Sequence, residues 1–349
     1  MTGLRMIAVL LVSAAACGTD ALPIADLESL SPDRGFTVHL SQFEVPPGTE
    51  VQDCYFIRVP DLANGNDLWI DRFSVAQRDG SHHMNVFRVK TIVNLDPSAG
   101  SDVMLGDMPA KFIPGGECRI STNWSDWPLV VNSQESASGS VFDWKLPEGV
   151  AQRFAPGELL MVQTHYVNAT EQATPEDGEV KVNFYRSTEA NPVEMGTLFA
   201  TQQHIRICRS APQPTYEGTC AFPAGSQVHV AAANGHFHAR GKQFSIFGWD
   251  GTSVERPTDD KLIYQSKTWD EPVMATGLDS IVQPGGGIWW SCSYQWRAPA
   301  AGCGEVNRRD DQQEDDCCYT FGNSAESAEH CNVFLYYWPK VDNADIFCN

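Results

Sequence analysis

The amino-acid sequence predicts an all-β fold of sandwich or jelly-roll type, arranged as two tandem units. From Phe36 onward the chain is a series of short runs rich in Val, Phe, Tyr, Trp and Thr, such as FTVHLSQFEV, CYFIRV, LWIDRFSVAQ and HHMNVFRVK, separated by Gly, Pro, Asn and Asp. β-Branched and aromatic residues suit a pleated, half-buried surface, and the separators supply turns. No stretch keeps a three-to-four apolar spacing for long enough to form an amphipathic helix. At 349 residues the chain can bury two cores of ordinary size, and many short strands at this spacing indicate sandwiches or jelly rolls.

In chain order, residues 1–16 (MTGLRMIAVLLVSAAA) combine one basic residue, an apolar run too short to span a membrane and a small-residue end. That pattern reads as a secretory signal. The end Ala14-Ala15-Ala16-Cys17 resembles a bacterial lipobox without its usual Leu and would make Cys17 the lipid-modified residue; an ordinary signal cut nearby would leave Cys17 free. Residues 17–33, small, acidic and Pro-containing, are expected to be the tether of an envelope lipoprotein. The first folded unit is expected over 34–190 and the second over 191–349, with the turn-rich NATEQATPEDGE shortly before the boundary and GTLFATQQHIRI opening a second series of strands. Residues 303–328, polar and acidic, are expected to form a long surface loop held by its own cysteines.

Removing residues 1–16 takes away Arg5 and no acid, which moves the formal charge from −20 to −21. Basic clusters for phosphate are absent, so nucleic acid is excluded as a partner. The acidic surface serves solubility outside the cell or attracts cationic small molecules. No other stretch approaches a transmembrane span, so membrane contact is expected only through the lipid anchor. Of eleven cysteines, setting aside Cys17 leaves ten, an even number in an exported chain and enough for five disulfides. None has zinc-finger spacing, and the adjacent Cys317-Cys318 do not suit one tetrahedral site.

The histidines carry the chemistry. In NGHFHARGK (Asn234–Lys242), His236 and His238 are two residues apart, and on a strand both point to one face and reach one ion; any polar strand face offers the same geometry. Adjacent His82 and His83, in His82-His83-Met84, point to opposite faces of a regular strand and share an ion only where the backbone bends, a bend that Asp79-Gly80-Ser81 supplies. His165 stands in VQTHYVN and His330 in AEHCNVFLYYW. His39, His204 and His229 have no partner nearby in sequence and read as structural.

His82-His83-Met84, His165-Tyr166 and His236-Phe237-His238 followed by Gly241-Lys242, in this order, resemble the copper type II, ascorbate-dependent monooxygenases, the family of peptidylglycine α-hydroxylating monooxygenase and dopamine β-monooxygenase. The resemblance runs over residues 36–349. It implies two jelly-roll-like β-sandwich domains facing each other across a solvent-filled cleft, with one copper on each inner face. His82, His83 and His165 would hold the electron-storing copper. His236, His238 and a third ligand would hold the catalytic copper that meets dioxygen and substrate. Imidazole suits copper in both oxidation states. The implied reaction is hydroxylation of a C–H bond of a small molecule with dioxygen and a reductant such as ascorbate.

The family's third catalytic ligand is the Met of a Glu-Met-Cys sequence, and here Glu329-His330-Cys331 places His330 in that position. Exchanging a thioether for imidazole alters the preference for Cu(I). The peptide-hydroxylating branch grips a substrate carboxylate with an Arg and a Tyr; Asn234 and Phe334 stand there, while the family's Asn is kept as Asn332. Asn cannot reproduce a guanidinium fork. The expected substrate is therefore apolar or amine-bearing, unless a basic residue such as Arg240 restores the clamp. The family's bridged positions imply Cys54–Cys118 and Cys292–Cys331, and Cys348 is expected to pair with Cys220 or Cys208.

Two other classes compete. A non-catalytic copper-binding or trafficking lipoprotein would keep the same fold and ligands. A zinc hydrolase would also use three imidazoles with an open position, but no motif places a general base beside either set.

Overall fold

The structure, a computed structural model, describes residues 24, 26–90, 110–113, 127–134, 140–168, 176–225, 227–270, 272–299, 302–303, 316–322, 324–342 and 344–349. The signal segment, Cys17 and Cys118 lie outside them. As expected, the fold is all-β: among the described residues the one helical element is a 3-10 turn at Asp259–Lys261.

The first part of the chain forms β1 (Gly35–Val45), β2 (Thr49–Arg58), β3 (Leu68–Gln77), β4 (Ser81–Arg88), β5 (Ala110–Ile113), β6 (Leu129–Ser133), β7 (Phe142–Lys145), β8 (Val150–Phe154), β9 (Leu159–Asn168), β10 (Glu176–Arg186) and β11 (Val193–Glu194). These build a sheet of order β1-β10-β3-β8-β11, with β7 also on β3, and a second of order β5-β2-β9-β4-β6. The remainder forms β12 (Gly196–Thr201), β13 (Arg206–Cys208), β14 (Thr215–Ala221), β15 (Val228–His236), β16 (Gly241–Trp249), β17 (Leu262–Ser266), β18 (Ala275–Val282), β19 (Gly287–Tyr294), β20 (Cys318–Thr320), β21 (Asn332–Trp338) and β22 (Ile346–Cys348). Their sheets have the orders β18-β15-β21-β12-β22 and β14-β19-β16-β17, with β13 and β20 as a separate pair.

The four runs quoted above fall on β1 to β4. Two expectations need correction. The turn-rich segment at 168–179 is strand from Glu176 onward, because its backbone pairs with Phe43, Glu44 and Val45 of β1; ladder hydrogen bonds override the polar composition. The segment 303–328 is not all loop, since β20 pairs with β13 through Arg206↔Thr320 and Cys208↔Cys318.

All eight residues of β4 are buried. Met84, Val86, Val162 and Tyr166 point into one core with Val182 and Phe184 of β10, and the opposite face of the same sheet meets the β15-β21-β12 sheet. A sheet covered on both sides loses the alternation of a half-exposed one. The contact between the two halves includes Tyr336 Oη donating to Asn132 Oδ1 at 2.6 Å and the ring of Trp144 against Tyr336.

Disulfides Cys208–Cys318, Cys220–Cys348, Cys292–Cys331 and Cys303–Cys317 join the second half. The expected Cys292–Cys331 bridge is present, and Cys348 takes Cys220 of its two expected partners. Cys54 is itself disulfide-bonded, but its expected partner Cys118 lies outside the described residues. Four bridges fit an oxidising compartment, and no helix among the described residues is long and apolar enough to cross a membrane.

Candidate metal centre and adjoining cavity

The two sheets that meet between the halves carry all six singled-out imidazoles. On the first, β4 runs beside β9, with Ser81 opposite Tyr166 and His83 opposite His165, so β4 holds one extra residue, His82. This β-bulge follows a turn in which Gly80 takes a φ of 82°. It lets two adjacent side chains share one side of the sheet, and the rings of His82 and His83 lie 5.3 Å apart. On the second sheet, His236 is the last residue of β15. Phe237 turns into the core against Gly241, where a Cβ would come within 1.5 Å of its ring, and His238 returns to the side of His236. His330 immediately precedes β21 and is held by the Cys292–Cys331 bridge at the next residue.

The two sets are not separated by an open, solvent-filled cleft. His82 lies 4.9 Å from His236 and 5.4 Å from His238, His83 lies 5.1 Å from His236, and His238 lies 4.4 Å from His330, all between ring centroids. The six rings form one buried cluster, because both sheets bury their facing surfaces against each other. Its donor atoms fall into two trios, His82-His83-His236 and His236-His238-His330, each within 4.8 Å. His165 was expected to complete the first trio. Its ring does lie 5.1 Å from both His82 and His83, but its Nε2 pairs with Glu50 at 3.2 Å, and His236 is the third close donor instead.

The hydrogen bonds around the rings assign their free lone pairs. His238 Nδ1 donates to the carbonyl of Ala328 (3.1 Å), His236 Nδ1 to Gln134 Oε1 (2.8 Å) and His83 Nε2 to Gln163 Oε1 (3.3 Å). A carbonyl oxygen only accepts, so the opposite nitrogen of each ring is the unprotonated one. Those nitrogens, His238 Nε2, His236 Nε2 and His83 Nδ1, are buried without a partner, as are His82 Nε2 and both nitrogens of His330. Burial, and then the neighbouring imidazoles, holds His82, His83, His236 and His330 well below the ordinary range; burial brings His238 down to about 4. Neutral rings with converging, unsatisfied lone pairs fit a borderline or soft metal ion.

Two carboxylates frame the cluster. Burial raises Glu329 to about 8 although it accepts the backbone N–H groups of His238 (2.9 Å) and Arg240 (2.7 Å). Burial would raise Glu50 too, but the hydrogen bond and charge of His165 and the N–H of Ala325 bring it to about 2.

Beside the cluster opens a cavity of about 430 Å³, bordered by His83, His236 and His330 and lined by polar residues (Gln52, Asn85, Gln163, Thr201, Gln203, Asn332, Asn349) and phenyl rings (Phe87, Phe199, Phe321, Phe334, Phe347). Of the positions expected to meet substrate, Asn332 and Phe334 line it. Asn234, opposite Phe334 in the ladder, is fully buried with both amide atoms unpartnered and does not line it. Arg240 is not available as a substitute clamp: it stacks on Tyr319 at 4.1 Å and pairs with Glu326 at 2.8 Å. Outside the cluster, His39 pairs with Glu179, His204 with Gln202 and His229 with Asp279, which accords with a structural role.

Several groups of the site carry no sequence signal. Gln134, Gln163 and Glu50 are ordinary polar residues in the sequence and become partners of imidazoles only through strand register and the approach of the two halves. Glu329 had a signal, its place next to His330.

No known family model matches the chain, and no curated protein does. Among solved structures it is similar to the PBSX exported protein XepA (7% identity, 76% of this chain and 89% of that one, TM-score 0.23). It is also similar to the major capsid protein P2 of bacteriophage PM2 (8% identity, 86% and 97%, TM-score 0.24). Likenesses at these scores carry no functional argument.

Proposed function

We propose that the chain is an exported, lipid-anchored copper monooxygenase of the bacterial cell envelope that hydroxylates a C–H bond of a small molecule. The observation that carries this reading is the convergence of buried, neutral imidazoles, their lone pairs unsatisfied, on one end of a substrate-sized cavity. A copper-trafficking protein has no need of that cavity, which sets the oxygenase above the trafficking alternative.

His236, His238 and His330 would hold the ion facing the cavity. His82 and His83 would hold the second, with the ring of His165 beside them and its Nε2 paired with Glu50. Bound copper supplies one-electron chemistry that activates dioxygen: one oxygen atom enters the C–H bond and the other leaves as water, with two electrons and two protons from a reductant such as ascorbate. The protein's own contribution is placement. Gln134, Gln163 and the Ala328 carbonyl fix which ring nitrogen is free, and the bulge at His82 and the bridge at Cys331 fix where the rings stand. The rings of Phe321 and Phe334 stand 4.8 Å from His330 and 6.4 Å from His236 between centroids and give the reacting end an apolar side.

The test is copper analysis of natively exported protein joined to ascorbate-dependent oxygen uptake. Two ions per chain are expected. His82→Ala/His83→Ala should lose one and His236→Ala/His238→Ala the other; a double variant that keeps both ions refutes the ligand assignment.

A further inference from the structure

We propose that the imidazole cluster is one dinuclear copper site, its two ions close enough to couple magnetically, rather than two independent centres. The inference rests on the copper ligation proposed above. The donor atoms of His82, His83 and His236 lie within 4.8 Å of one another, and so do those of His236, His238 and His330. A metal–imidazole bond is about 2 Å long, so an ion on the His236 donor and an ion on the donors of His82 and His83 stand no more than about 9 Å apart.

His236 belongs to both trios but serves only one ion. Its Nδ1 is committed to Gln134 Oε1 at 2.8 Å, which leaves Nε2 with its single free lone pair. The rings of His238 and His330 stand 5.1 and 5.3 Å from that of His236, so this lone pair completes a three-imidazole ion, and the ion on His82 and His83 is its direct neighbour. The rings of His82 and His236, 4.9 Å apart between centroids, are too close for a layer of water between them.

Contacts across the junction hold the halves at this distance. Asn132 and Gln134, 0% and 2% exposed, take Tyr336 Oη at 2.6 Å and His236 Nδ1 at 2.8 Å from the other half, and Glu50 accepts from Ser324 and Ala325 at 3.2 and 3.1 Å. Opening a solvent-filled cleft between the two sets would break these bonds and expose the buried faces of β4 and β15. An electron therefore passes from one ion to the other across the cluster itself.

The experiment is electron paramagnetic resonance of the wild-type protein, disulfides intact, saturated with Cu(II), with copper content measured on the same sample. Copper-loaded His82→Ala/His83→Ala and His236→Ala/His238→Ala supply the single-ion spectra. The wild type should show a half-field transition, or a spin count well below its copper content, unchanged on dilution and absent from both variants. Two ions per chain with a full spin count and no half-field transition overturn the inference and leave the ligand assignment standing; because that result is read on the wild type, it does not depend on the folding of either variant. Two coupled ions without ascorbate-dependent oxygen uptake support this inference and refute the oxygenase reading alone. One ion per chain, or none, overturns both.

Discussion

Replacing Glu50 by Gln removes one charge at the point where the two halves of the site meet. The carboxylate pairs with His165 Nε2 at 3.2 Å and accepts from the Ser324 hydroxyl at 3.2 Å and the Ala325 N–H at 3.1 Å. These contacts move the carboxyl from 4.5 to about 2 against the opposing effect of burial. At about 1.4 kcal/mol per pH unit the difference corresponds to roughly 3 kcal/mol. The side chain is 19% exposed, and solvent screening reduces this to about 2 kcal/mol. A folded-state value below the unfolded one makes this stabilisation complete above pH 4.5 and lost as pH falls toward 2. The assay is urea unfolding of metal-free wild type and Glu50→Gln across that range. The stability gap between the two proteins should be larger by about 2 kcal/mol above pH 5 than at pH 2, and amide exchange at Ala325 should quicken in the variant. A gap that stays constant across the range would show that the carboxylate's charge contributes nothing to this junction.

His330→Ala should lower the affinity of the cavity-facing ion and change its spectrum, measured by copper titration; an unchanged spectrum and affinity would make His330 a bystander. Converting Cys292 and Cys331 to Ala opens a loop with a sequence separation of 39. The change should cost roughly 4 kcal/mol in denaturant unfolding, and a loss below about 1 kcal/mol would contradict the bridge's role as the anchor of β21. His238, brought to about 4 by burial, takes up no proton between its unfolded value near 6.5 and 4 while the unfolded chain does. Stability of the metal-free protein should therefore fall as pH drops through that window, by up to roughly 3 kcal/mol. His238→Gln should flatten that part of the curve, and an unchanged slope would show that the ring titrates normally.

Much of the fold was legible in the chain because strand signals are local. The runs at 36–45, 54–59, 68–77 and 82–90 carry their own β-branched and aromatic residues, and the turn before His82 is written in Asp79-Gly80-Ser81. The candidate donors were legible for the same reason, since imidazoles at close spacing are visible whatever surrounds them. Strand pairing was less so: Glu176–Glu179 read as turn because its partner, Phe43–Val45, lies far away in sequence. Which imidazoles meet was not local at all. That His236 stands beside His82 and His83, that Glu50 takes His165, and that Gln134 orients His236 all follow from how closely two sheets from opposite ends of the chain approach. Spacing along a strand specifies the side to which a histidine points; only the packing of one buried face on another decides what it finds there, because that packing is set by the sum of contacts over both faces and by no residue alone.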